Sequence, residues 1–375
     1  MKPAIILRIL IILFLFVAAA SAYIVPDRDY ANSKWGFIDQ TGRIVVEPKY
    51  TAAGDFSEGL AAVKVGGTHA RGGTWGFIDR TGRQVVECTF DAAEAFSEGL
   101  AAVRVGEKWG FIGRDGKLRM QPQFEWAGAF HEGLAAFTRD KKYGYIDRTG
   151  AVVIEPQFRW AAWFSEGLAS VEMPPEGDAP AGLSGYINTK GEMEIVLLPP
   201  YTHGYGFSEG VAFVQTADRT YALIDRDGEV VATPDYAVNS LGTFRDGLAE
   251  VRIVNADRNE EWGTIDKTGA IVVPFKPSYN WGIRYSEKDG SLHGLNHSMK
   301  DEFTSEPLDL TRVPMRHRLI RIWSGEEQST AATRKHGFMD GTGTVVIKPQ
   351  FEEVHDFHEG MAVVAVGLKW LDPQR

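Results

Sequence analysis

The 375-residue chain contains a single cysteine, Cys88. No intramolecular disulfide can form, so the fold stands on packing and hydrogen bonds. Cys88 takes the place that proline holds in related segments (Pro48, Pro122, Pro156), which points to packing rather than thiol chemistry. No window of helical length shows a 3.6-residue apolar period, which excludes a helical bundle. Positive charge is also scarce: 40 Lys and Arg stand against 50 Asp and Glu, for a net charge of −10. A general nucleic-acid binder would need the opposite balance to neutralise phosphates. There is no Gly-x-Ser-x-Gly elbow, no phosphate-binding glycine loop, no Cys-x-x-Cys and no His-Glu-x-x-His. No catalytic residue, metal or cofactor is expected from these absences.

The one extended apolar run lies at the start. Lys2 and Arg8 precede Ile9 to Ala20, and Ala20-Ser21-Ala22 offers a small-residue cleavage site. Residues 1–22 read as a cleaved signal peptide. The rival is a retained anchor, although the run is short for a membrane span and Arg8 interrupts it. Removing Lys2 and Arg8 with the leader leaves −12. The mature chain is expected outside the cytoplasm: periplasmic, on the outer surface or extracellular, in a bacterium.

What is present is repetition. Tyr143 to Val171 reads YGYIDRTGAVVIEPQFRWAAWFSEGLASV. Tyr143 to Asp147 is aromatic and β-branched. Asp147 can accept a hydrogen bond from the backbone two residues on, and Gly150 can take positive φ. Ala151 to Phe158 is a second strand, in which Pro156 marks an end or an edge. A small-residue link leads to Phe164-Ser-Glu-Gly167, a second turn, and then a third strand from Leu168 to Val171. Similar starts occur at Trp35, Trp75, Trp109, Ser184, Tyr221, Trp262 and His336. Trp281-Gly282 imitates a start but aligns with Trp160 in the middle of a repeat.

These segments resemble the WG-repeat family. The Trp-Gly pair stands at Trp35-Gly36, Trp75-Gly76, Trp109-Gly110 and Trp262-Gly263. The companion motif stands at Phe56 to Ala61, Phe96 to Ala101 and Phe164 to Ala169. The resemblance implies β-rich repeats with a binding or envelope role and no catalytic residues.

The organisation expected is a signal peptide over 1–22, a lead-in over 23–34, repeats one to seven over 35–287, an insertion or decayed repeat over 288–335, and repeat eight with a C-terminal half-repeat over 336–375. A three-stranded unit cannot bury a core alone, so neighbours must stack. The expected fold is all-β: tandem three-stranded repeats in an open, curved, solenoid-like array. The alternative is a closed β-propeller, whose blades carry four strands over some 40 residues or more. The opening of a ninth copy at Trp370 argues for closure.

Candidate sites are weighed against fold roles. Glu58, Glu98, Glu132, Glu166, Glu209 and Glu359 share one motif position; Asp39, Asp79, Asp147, Asp225, Asp266 and Asp340 share another. Residues present in nearly every copy serve what every copy shares, so they read as turn formers. His293 and His297 are four apart, and His355 and His358 three apart; the second pair lies in a turn-and-strand context where such spacing does not converge.

Trp126, Trp160 and Trp281 occupy a position that is Ala52, Ala92, His203, Ser240 or Glu353 in the other repeats. The fold does not demand tryptophan there. With Trp163 they form a candidate patch for a glycan or an extended peptide, the bland alternative being gap-filling between strands. A second candidate is the basic stretch 312–323, with Arg312, Arg316, Arg318 and Arg321. It can touch a membrane surface or wall polymer, or serve as a charged edge strand. The expected function is an exported, non-catalytic scaffold binding a protein or polysaccharide of the envelope. The alternatives are a propeller-like glycan-acting enzyme and a purely structural envelope component.

Overall fold

A computed structural model of the protein describes residues 28–29, 33–69, 71–175, 182–218, 220–234, 238–254, 260–277, 283–286, 288–297, 303–307, 319–325, 334–366 and 369–370. The leader, most of the lead-in, Trp281 and 308–318 lie outside the described residues. Among the described residues no helix is long and apolar enough to cross a membrane.

Among the described residues there are eight blades, seven of four strands and one of six. Blade four shows the pattern: Trp126–Ala127, Leu134–Arg139, Lys142–Asp147 and Val152–Phe158, each antiparallel to the next. This corrects the expected three-stranded open array. The extra strand is hardest to see where, as in blade four, it pairs over only two residues within what reads as a small-residue link. It is the first strand of each blade, and the sequence repeat starts two strands later. A repeat therefore supplies the last two strands of one blade and the first two of the next.

That offset closes the ring. Blade one joins Lys34–Asp39 and Ile44–Tyr50 from the start of the chain to Glu353–Val354 and Met361–Val366 from its end. The seam is a continuous antiparallel ladder from Lys34↔Val366 to Asp39↔Met361. The strand at Trp370 does not make this closure; Lys369–Trp370 pairs separately with Arg28–Asp29.

The Trp-Gly motif has a steric cause. The fourth strand bulges at the Glu-Pro dipeptide, so Trp35 pairs with Tyr50 and Phe37 with Val46. The bulge lies across the glycine. A Cβ on Gly36 would stand 2.4 Å from the Val46 carbonyl oxygen and 2.7 Å from the Pro48 nitrogen. The equivalent clash recurs at Gly76, Gly110, Gly144 and Gly337. Proline is tolerated because a bulged position gives no ladder hydrogen bond.

Between most blades, an aromatic residue of the third strand meets the phenylalanine that precedes the first turn of the next blade. Phe37–Phe56, Phe77–Phe96, Phe111–Phe130 and Tyr145–Phe164 have ring centroids 4.8–4.9 Å apart. The core is thus a set of interblade clusters, such as Phe111, Phe124, Phe130, Phe137 and Ile146. The fourth strands alternate buried and exposed residues, as an outer rim does.

Blade eight departs from the others. Its first strand, Ile283–Tyr285, carries an added hairpin, Leu292–His297 and Phe303–Pro307, and joins Leu319–Ser324 in parallel. Leu319–Ser324 then pairs with Lys335–Asp340 as an ordinary second strand. Part of the 288–335 stretch is therefore blade material.

Candidate functional site

The repeated carboxylates hold the ring together. Each Glu of the motif adopts a left-handed φ near 50° ahead of a glycine, which makes a two-residue hairpin turn. Its carboxylate reaches into the adjacent blade. Glu58 accepts from Gly99 N–H at 3.0 Å, Glu98 from Gly133 at 3.0 Å, Glu132 from Gly167 at 2.8 Å, Glu166 from Gly210 at 3.0 Å and Glu209 from Gly247 at 2.8 Å. The shared Asp bonds its own turn: Asp147 accepts from Thr149 N–H at 2.8 Å and from the Thr149 hydroxyl at 2.6 Å. Both positions are committed to the fold.

These turns join the first to the second strand and the third to the fourth, so they share one end of the ring. The opposite end carries the rings of interest. Trp126 sits beside Thr138, at the far end of its strand pair. Its indole folds back over Gly128, where a Cβ would stand 2.9 Å from the ring, and meets Tyr143 edge-on at 5.8 Å. Trp160 occupies the same position in blade five and meets His203, its counterpart in blade six, at 4.9 Å. His203 meets Tyr205 at 5.1 Å, and Tyr205 meets Tyr221 at 6.0 Å. Trp126 and Tyr205 are 39% and 37% exposed, so the run is open to solvent.

Polar groups flank it. Glu172 lies 3.2 Å from His203 Nδ1 and 4.0 Å from an Arg159 guanidinium nitrogen. Gln215 donates to the Tyr221 hydroxyl at 2.6 Å. Burial and the neighbouring Tyr221 push the Tyr205 phenol up to about 12, so it stays protonated and remains a donor at neutral pH. The repeat pattern alone does not reveal the extension through His203, Tyr205 and Tyr221; its one signal is that His203, aligned with the tryptophans, is itself a ring.

Trp163 does not join this run. It precedes the Glu-Gly turn at the other end of the strand, 63% exposed, with its ring 5.5 Å from His131 in the preceding blade. Of the basic stretch, Arg312, Arg316 and Arg318 lie outside the described residues, as Trp281 does. Arg321 lies in a blade strand and pairs with Asp356 at 3.4 Å, while its neighbours Ile322 and Trp323 are buried.

The histidine pairs divide. His293 and His297 lie on one strand, where residues four apart are about 13 Å from one another. His355 and His358, expected not to converge, both meet the Asp55 carboxylate across a blade interface, at 3.2 and 3.6 Å. The preceding blade brings Asp55's partners together from the link after Glu353–Val354 and from the turn that follows it, which spacing within one repeat cannot reveal. Beside them His355 and His69 flank the Trp35 indole, each 5.5 Å away. Lys64, also buried there, donates to the carbonyls of Thr68 and His69 and so anchors a loop. Among the described residues no group of three or more His, Cys, Asp or Glu is placed to hold a metal ion.

Similarity to known proteins follows the fold. One solved structure, described as the crystal structure of the eukaryotic initiation factor, matches with a TM-score of 0.56 and 10% identity over 90% of this chain and 98% of that one. Another, of BamB from Moraxella catarrhalis, matches with a TM-score of 0.44 and 15% identity over 74% of this chain and 91% of that one. At such identity the first likeness speaks to the fold alone. No curated protein matches the chain by sequence. The sequence model of the WG containing repeat matches residues 35–68, 75–109, 109–143, 143–173, 185–218, 221–255 and 337–370. These segments make up most of the chain, which belongs to the family of WG containing repeat proteins.

Proposed function

We propose that this protein is an exported, non-catalytic scaffold that holds a protein or polysaccharide of the cell envelope. The binding face is the end of the ring that carries Trp126, Trp160, His203 and Tyr205. One observation supports it most: large rings fill the same strand position in three consecutive blades, where the fold accepts alanine or serine in others. Alanine stands there at Ala52 and Ala92, so blade geometry makes no demand for a ring. A run of exposed aromatic residues with flanking polar groups has the composition of an interface hot spot. Export rests on the leader, Lys2 to Ala22.

Two measurements test this. N-terminal sequencing of the protein recovered from its host should find Tyr23 first, and fractionation should place it outside the cytoplasm. The full chain and its Trp126→Ala/Trp160→Ala double variant, matched by circular dichroism and melting temperature, should then be offered the host's envelope fraction. Capture by the first and not the second supports the reading. Equal capture by both removes the face from consideration, and recovery of the protein in the cytoplasm with Met1 intact removes export.

A further inference from the structure

We propose that the ligand on this face is a saccharide chain, neutral or amino-sugar in character, laid across blades four to six. The inference rests on the reading that this face binds. It follows from how the rings are packed and from what borders them.

The rings abut. Trp160, His203, Tyr205 and Tyr221 follow one another at 4.9, 5.1 and 6.0 Å between centroids. An aromatic cage for a quaternary ammonium needs rings arranged around an empty centre. Here each ring occupies the space beside the next, so a small cation has no place among them. The rings are tilted or edge-on to one another, so what remains is a stepped aromatic wall in blades five and six, with Trp126 and Tyr143 as a separate edge-on pair in blade four. Pyranose rings stack their C–H faces on such surfaces, and a polymer of them can meet a ring in each successive blade.

An extended peptide would be held differently. Its affinity comes from main-chain hydrogen bonds along a strand edge, with side-chain pockets for specificity. Trp126–Ala127 and Trp160–Ala161 are strands of two residues each. They offer a peptide no ladder of useful length beside the rings.

The borders suit hydroxyl groups. Glu172 accepts hydrogen bonds, Gln215 gives and accepts them, and Glu125 adds a carboxylate that already accepts from Lys141 N–H at 3.2 Å. Adjacent sugar hydroxyls pair with carboxylates and amides of this kind. Arg159, with Arg139, Lys141 and Lys142 of the turn beside Trp126, offsets the local carboxylates, so any selection against uronate or phosphorylated polymers comes from the net −10 of the whole chain rather than from the face itself.

The test uses the full chain in native gels cast with a neutral glucan, with glycol chitin or with alginate. The Trp160→Ala and Gln215→Ala variants run beside it, each matched to the wild type by melting temperature. The expected result is retardation by the glucan or by glycol chitin and not by alginate, weakened at least tenfold by Trp160→Ala and less by Gln215→Ala. Retardation by alginate alone, or by none of the three, overturns the proposal for these sugars. Capture from the host's envelope fraction, after periodate or after protease, then separates the two readings. Capture lost after periodate upholds a saccharide. Capture lost only after protease, and dependent on Trp160, rejects the saccharide while the binding face stands. Capture indifferent to Trp126 and Trp160 rejects both.

Discussion

The carboxylate of Glu359 accepts a hydrogen bond from the backbone N–H of Gly59 at 2.8 Å, across 300 positions of sequence, and receives the Arg80 guanidinium at 2.7 Å. This is the same link that joins other neighbouring blades, made here between the C-terminal half of blade one and blade two, so that it ties the end of the chain to its beginning. Burial works against ionisation of Glu359, but Arg80 and the Gly59 N–H outweigh it, and the net effect lowers its pKa. Replacing Glu359 by Gln leaves the size and removes the charge. Charge-assisted hydrogen bonds contribute about 1.5–3 kcal/mol when well sheltered, and partial exposure of the Arg80 pair reduces that toward the value for surface pairs. Glu359→Gln is expected to cost about 1–2 kcal/mol, read as a lower urea midpoint with an unchanged slope.

The Trp-Gly glycine should be far less tolerant than the tryptophan before it. At Gly76 a Cβ would stand 2.5 Å from the Val86 carbonyl oxygen and 2.7 Å from the Cys88 nitrogen. Both obstacles are backbone, so relief requires moving the fourth strand. Gly76→Ala is expected to destabilise by more than about 3 kcal/mol. Cys88→Pro should behave oppositely. Proline occupies the equivalent position at Pro48, Pro122 and Pro156, and fixing φ there restricts the unfolded chain. A change within about 1 kcal/mol, of either sign, is expected, and thermal melts of the two variants side by side decide the matter.

These two residues show what was legible in the chain. The strands, both turns and the fold roles of the shared Glu and Asp could be read from one repeat, because hairpins are local. The number of strands per blade could not. The first strand of blade four pairs over only Trp126 and Ala127, and its partner follows after a bulge, so no alternation marks it. Closure was equally hidden, since it depends on Met361–Val366 adding to Lys34–Asp39, a pairing between chain ends that no local pattern encodes. At the candidate site the tryptophans were visible by alignment. The grouping was not: Trp163 follows Trp160 closely in sequence but lies toward the other end of the strand, while His203 and Tyr205 come from the next blade.

Gly128 controls the pose of Trp126. The indole lies where a Cβ on Gly128 would be, 2.9 Å from that ideal position. Gly128→Val should push the ring off Tyr143 while leaving the interblade core, to which Ala127 and Phe130 belong, in place. The expected outcome is a shift in tryptophan emission with a loss of stability under about 1.5 kcal/mol. Binding on the proposed face should weaken although Trp126 itself is intact. Unchanged emission would mean that the ring does not rest on Gly128 in solution.

The turn carboxylates predict how the protein responds to acid. Asp39 and Asp79 are both held down to about 2, first by the hydroxyls of Thr41 and Thr81, against a smaller opposing effect of burial, and then by Arg43 and Arg83. An unfolded aspartate titrates near about 3.9. A depressed folded pKa means that the stabilisation is present above the unfolded value and is lost as the pH falls through the folded one. The contribution of these two turns should therefore be complete above about pH 5 and fade toward about pH 2. Asp39→Asn/Asp79→Asn should lower the melting temperature at pH 7 and flatten its decline between about pH 4 and pH 2. Each asparagine can still accept from the turn N–H groups, as Asn188 does from Lys190 at 2.9 Å, so the variant should fold into the same ring. If the double variant declines as steeply as the wild type, the acid sensitivity resides elsewhere, and the Glu359 seam is the next place to look.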